Sequence, residues 1–373
     1  MLKRKKKQTK LLFCINSLST KGGGAEKILS IILKHLEKKD YQIDLITFDK
    51  KKTNFFYKFP KKINIYKLGD LINYNNKYLI HINRIIILFI FLKRLKPSIS
   101  FGFMHSSYVD LSFASIFSKS KIIACEHIVM DHFKKRKFEL FLIYLSSIFI
   151  NKITVVSSQV KNKFSKFFQK KMISIENFVD KKNYLNKPKL KRKKIILSVG
   201  RIADQKNYST LIKAFHVFNQ KKREWKLVII GEGYDKRNLI KLINDLNLKK
   251  NVKFLNFTKK LNKLYKTSSL YVCSSIYESL GLTVAEALIN RLPCIGFKNC
   301  DGVNKLIKHN KNGILINGDM YDYNKLGQEM INLTKNKNKI KNMINYYDPN
   351  FLNKNSDSVV LKKWLKLIKE MTN

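Results

Sequence analysis

The chain has 373 residues, 45% of them apolar, and carries 75 Lys and Arg against 26 Asp and Glu, a formal net charge of +49. The apolar share excludes a disordered chain, and the length accommodates two domains of ordinary size, each with its own core. The basic excess points to anionic lipid or nucleic acid, or to an AT-rich coding bias that loads Lys, Asn, Ile and Phe onto a solvated surface; with no zinc finger, RNP-like aromatic motif or basic region with heptads, no nucleic-acid partner is expected.

The start, MLKRKKKQTKLLFCI, has a basic head but too short an apolar stretch before Asn16 for a cleaved signal, and it reads as a tail leading into the first strand. Strands are expected at LLFCI, YQIDLITF, SISF, KIIAC and KITVV in the first half, and at IILSV, KLVII, VKFL, LYVC and CIGF in the second. Amphipathic stretches separate them, which implies parallel sheets covered by helices on both faces. The apolar runs at 85–92 and 141–150 are too short to span a bilayer. The polar segment Asp180 to Lys194, with Pro188, interrupts the alternation and is the expected linker. Ligand then belongs in a cleft between the halves. Apolar residues from Val359 to Ile368 have helical spacing and predict a terminal helix. Cys14, Cys125, Cys273, Cys294 and Cys300 show no C-x-x-C spacing, so buried thiols and no metal cluster are expected.

Four places carry chemistry. Gly22, Gly23 and Gly24 follow the first strand, where three glycines let the backbone approach a phosphate or an acceptor closely. The third Gly of G-x-G-x-x-G is replaced by Lys27, which argues against a dinucleotide fold. Arg201 and Lys206 lie in the loop after IILSV, where two cations five residues apart can both turn toward the cleft. Glu278 and Glu286 flank a strand-to-helix junction opened by Gly281, and backbone amides of Leu282 and Thr283 lie between the two carboxylates, suited to phosphate oxygens. His127 follows the strand KIIAC beside Glu126.

The segments SVGRIADQKNYSTLIKAF, WKLVIIGEGYDKRNL, the Glu278/Glu286 stretch and GGGAEK together resemble glycosyltransferase family 4, over residues from about 10 to about 335. The resemblance implies an α/β fold of the GT-B type, two Rossmann-like domains whose parallel sheets face a central cleft. It assigns 1–180 to an acceptor-side domain, 195–345 to a nucleotide-sugar-binding domain, and 355–371 to a helix returning to the first domain. It further implies a retaining transferase that moves a hexose or N-acetylhexosamine from a nucleoside diphosphate sugar, foremost a UDP-sugar, to a growing lipid-linked bacterial surface glycan.

By the same resemblance, Arg201 and Lys206 contact the diphosphate, Glu278 the donor sugar, and Glu286 the ribose. Asn256 stands in the loop that faces the base, Gly22 to Gly24 lie beside the diphosphate and acceptor, and His127 faces the donor sugar. Ser279 and Leu280 replace the family's frequent Gly and aromatic residue. The sequence has no Asp-x-Asp triplet, and neither cofactor nor metal is expected. The expected location is the cytoplasm, peripheral on the inner face of an anionic membrane. The alternative is a catalytically silent GT-B scaffold or binding subunit.

Overall fold

The computed structural model describes residues 8–72, 76–134, 136–179, 191–258 and 260–372. It resolves into two compact units, one of Met1–Phe178 with Ser358–Asn373, the other of Val179–Asp357. Residues 180–190 of the expected linker lie outside the described residues.

The first unit holds a seven-stranded parallel sheet, ordered β3-β2-β1-β4-β5-β6-β7. Its strands are β1 (Thr9–Ile15), β2 (Tyr41–Thr47), β3 (Asn64–Lys67), β4 (Ile99–Phe103), β5 (Lys121–Glu126), β6 (Lys152–Val155) and β7 (Met172–Ser174). The interior strand β1 is apolar from Leu11 to Ile15 because it is covered on both faces; Leu11 to Cys14 are fully buried. The terminal helix Asp357–Thr372 packs here, with the Trp364 ring 6.0 Å from Phe101 and 6.4 Å from Phe103 of β4. Lys363 donates to the buried Glu176 carboxylate beside it.

The second unit holds a six-stranded parallel sheet, ordered β10-β9-β8-β11-β12-β13. Its strands are β8 (Ile195–Val199), β9 (Lys226–Ile230), β10 (Val252–Leu255), β11 (Leu270–Cys273), β12 (Cys294–Phe297) and β13 (Gly313–Ile316). All ten strands expected from sequence are present. Three further ones, β3, β7 and β13, occupy sheet edges; β3 and β7 are partly buried and leave no continuous apolar run to read, whereas β13, GILI, is apolar and mostly buried yet is not among the ten expected. Arg192 belongs to this unit rather than to a free linker. Its guanidinium donates to the carbonyls of Tyr265, Ser268, Asn290 and Arg291, which close two helices, Leu261–Thr267 and Leu282–Ile289. A cation at carbonyls left over by helix ends satisfies acceptors that the helices cannot.

All five cysteines are free and buried. Burial pushes the Cys125 thiol up to about 12, and the other four are raised as well, which keeps them protonated and unreactive. Among the described residues, no helix is long and apolar enough to cross a membrane.

Candidate active site

In the second unit, the loops leaving the adjacent strands β8 and β11 are sewn together. After β8, a short 3-10 turn spans Asp204–Lys206, and Asn207 takes a left-handed conformation (φ 49°) that turns the chain into the helix Tyr208–Lys221. The Ile276 amide donates to the Gln205 carbonyl at 2.9 Å, the Gln205 side chain to the Tyr277 carbonyl at 2.8 Å, and the Ser274 hydroxyl to the Lys206 carbonyl at 2.7 Å. These three bonds fix the main-chain positions of the two loops relative to each other.

On that frame, the Lys206 ammonium donates to Glu278 Oε1, which also accepts from the Ser275 hydroxyl at 2.7 Å. Both ends of the pair are nearly buried, with side chains 15% and 10% exposed. Burial works against the charge on Lys206, but the Glu278 carboxylate outweighs it, and the lysine pKa is raised. The cation is thus charged and held in place. The Glu278 carbonyl accepts from the Gly302 amide at 3.1 Å, so the loop after β12 closes the third side.

Gly281 (φ 76°) takes the left-handed conformation at the head of the helix Leu282–Ile289. The amides of Val284 and Ala285 both turn back to the Gly281 carbonyl; those of Leu282 and Thr283 come before the helix's own bonding register. Two tyrosines with ring centroids 6.0 Å apart hold this helix: Tyr271 donates to Thr283 Oγ1 at 2.7 Å, and Tyr265 to Glu286 Oε2 at 2.9 Å. Burial and the adjacent Glu286 carboxylate raise the Tyr265 pKa well above its usual value, so it remains a donor. Arg201 is exposed in the β8 loop. Asn256 is exposed after β10, an edge strand separated from β11 by β9 and β8.

The structure therefore joins Lys206, which the sequence assigns to phosphate, directly to Glu278, which it assigns to sugar. Ser275, Tyr265, Tyr271 and Gln205 support the site and were not singled out from sequence. Ser275, three residues before Glu278, is the one among them that the motif itself could have revealed.

In the first unit, the glycine loop and His127 follow β1 and β5, at the same edge of one parallel sheet with β4 between them. Gly22 has φ 72°, and a Cβ on Gly23 would fall on the Glu26 carboxylate, so an acidic side chain lies over this loop. The partly buried His127 ring stacks on Phe103 with centroids 5.5 Å apart, and burial lowers its pKa to about 4. Glu126 does not orient the ring; its carboxylate accepts from the Tyr108 hydroxyl at 2.7 Å and the Ile128 amide at 2.8 Å.

Residues 169–348 match the family described as Glycosyl transferases group 1. The chain is 25% identical to the amylovoran biosynthesis glycosyltransferase AmsD of Erwinia amylovora, over 80% of this chain and 84% of that protein. It is also 25% identical, over 98% of this chain and 99% of the other, to a Campylobacter jejuni protein named GalNAc-alpha-(1->4)-GalNAc-alpha-(1->3)-diNAcBac-PP-undecaprenol alpha-1,4-N-acetyl-D-galactosaminyltransferase. Among solved structures, a mutant of S. aureus TarM in complex with fondaparinux, alpha-GlcNAc-glycerol and UDP superposes with a TM-score of 0.77, covering 98% of this chain and all of that one at 18% identity.

These matches support a GT-B glycosyltransferase. The matched span contains the whole Lys206–Glu278 constellation.

Proposed function

We propose that the chain is a retaining glycosyltransferase of family 4 that transfers a hexose or N-acetylhexosamine from a UDP-sugar to a growing, lipid-linked bacterial surface glycan. The observation that carries this reading is the Lys206–Glu278 pair, held on two stitched loops, one of which leads into a helix N-terminus and the other of which also carries the exposed Arg201. Breaking the bond between sugar C1 and phosphate develops charge on the leaving diphosphate. Arg201, Lys206 and the amides of Leu282 and Thr283 then stabilise that charge without a metal. Glu278 contacts the donor sugar, Glu286 the ribose and Asn256 the base. His127 and the loop Gly22, Gly23, Gly24 act on the sugar and acceptor side. The leaving phosphate takes the acceptor proton on the same face, so catalysis rests on positioning.

The UDP in the TarM structure and the PP-undecaprenol in the Campylobacter protein's name favour this donor and this acceptor. A lipid-carried acceptor places the enzyme in the cytoplasm, peripheral on the inner face of the membrane, consistent with the charge of +49.

The test is thermal unfolding with UDP, GDP, ADP and UDP-sugars, without added metal, for the wild type and Arg201→Ala. UDP is expected to raise the midpoint by several degrees, the effect of saturating ligand, and to do so less in the variant. Folded protein that no nucleotide stabilises would overturn the reading.

A further inference from the structure

We infer that the first unit carries a bilayer-docking face that inserts apolar side chains among anionic lipid headgroups, formed by the helices Lys77–Leu95 and Lys137–Ser146. The inference rests on the membrane part of the reading above, and it names the surface and its partner.

The helix Lys77–Leu95 buries Ile87, Leu88 and Leu92 and turns a second apolar face outward: Tyr78, Ile82, Ile86 and Ile90, each more than half exposed, recur at four-residue intervals. Helical side chains at that spacing form one stripe, and a stripe of Ile on the solvent side has no role in the core. The helix Lys137–Ser146 does the same with Phe138 and Phe141, 53% and 58% exposed. The two faces are continuous, because the rings of Tyr78 and Phe138 meet edge to face at 5.9 Å. Phe117, 75% exposed, lies edge-on to Phe89 at 6.5 Å and extends the band at its other end. The second unit offers a contrast. Among its described residues, the exposed large apolar ones are Ile240 and four tyrosines, which carry a polar tip.

Charge selects the occupant. Between residues 77 and 170 the sequence holds four carboxylates. Asp110 and Glu126 are buried; Asp131 is paired with Lys134 and Lys163, and Glu139 with Arg136. Lys93, Arg94, Lys119, Lys137, Lys166 and Lys170 are exposed around the band. With Asp131 and Glu139 already paired, the unpaired charge beside this face is cationic, and a two-fold contact with a second copy would set like charge against like charge. The face suits a surface that is apolar within and anionic at its edge, which is a bilayer containing acidic lipid.

The experiment uses vesicles of phosphatidylcholine with and without phosphatidylglycerol at physiological salt. The full chain is tested as the wild type, as Ile86→Ser with Phe141→Ser, and as a Phe141→Trp reporter; the native Trp225 and Trp364 are buried and serve as internal background. Expected results are sedimentation with phosphatidylglycerol vesicles only, quenching of the reporter by brominated acyl chains, and a loss of affinity of at least tenfold in the double variant. Sedimentation without quenching would show electrostatic adsorption and overturn insertion. A solution dimer dispersed by Ile86→Ser would assign the face to a second copy instead. The UDP midpoint shift measured on the same variants separates the two readings: retained, it leaves the donor site standing whatever the vesicles show.

Discussion

Glu126 and His127 are neighbours in sequence whose environments push them in opposite directions. Burial raises the Glu126 carboxyl to about 7, partly offset by the Tyr108 hydroxyl and the backbone amides that it accepts from, while burial lowers His127 to about 4. A carboxyl that holds its proton more tightly in the folded state loses stability as pH rises from its unfolded value near 4.5 to about 7. A histidine that holds its proton less tightly loses stability as pH falls from 6.5 to about 4. The two effects oppose each other in one window, and the histidine, which keeps some solvent contact, contributes less. Glu126→Gln removes the first effect alone. Chemical denaturation between pH 4.5 and 8 is expected to show the wild type losing stability relative to this variant as pH rises, with the difference levelling off above pH 7. Parallel curves would show that Glu126 is not the buried titrating group.

At the scale of elements, what matters is which loops meet. The Lys206–Glu278 pair couples the loop after β8 to the loop after β11, and little water reaches either side chain. Removing one partner leaves the other's charge nearly buried, a cost of about 3–5 kcal/mol for fully buried pairs and less with this residual exposure. A double-mutant cycle of Lys206→Met and Glu278→Gln, followed by urea unfolding, is expected to give a coupling of about 1–3 kcal/mol. Additive effects would mean that the two loops are held by the hydrogen bonds of Gln205, Ser274 and Ile276 without the ion pair. Arg192 shows why such ties escape a sequence reading. It stands in a lysine-rich polar stretch that looks like linker, yet it closes two helices that begin more than sixty residues further along the chain.

For the whole molecule, the terminal helix Asp357–Thr372 completes the first unit from the far end of the chain, burying Val360, Trp364, Leu367, Ile368 and Met371. Trp364 covers the rings of Phe101 and Phe103, and a buried Trp replaced by Ala typically costs about 3–5 kcal/mol. Thermal unfolding of Trp364→Ala is therefore expected to show a lower midpoint for the first unit. The midpoint that UDP is expected to raise should remain, since the residues proposed to bind the donor lie in the other unit. Loss of the UDP response together with the first transition would show that the two units unfold as one.

The sequence by itself determined the two parallel sheets, because strands buried on both faces must be written as apolar runs, and it put Gly281, Arg201 and Lys206 in loops between strand and helix, because such positions follow from local chain geometry. It did not show the partly buried edge strands β3 and β7, which leave no continuous apolar run, and the expectation that Asn256 faces the base rests on resemblance alone. Only the tertiary structure decided that Lys206 and Glu278 form one pair with Ser275, that Tyr265 and Tyr271 brace the helix between the carboxylates, and that the apolar runs at 85–92 and 141–150 each contribute outward-facing side chains. Those facts depend on contacts between segments far apart in the chain. Such contacts are set by packing, and no local pattern of residue types encodes them.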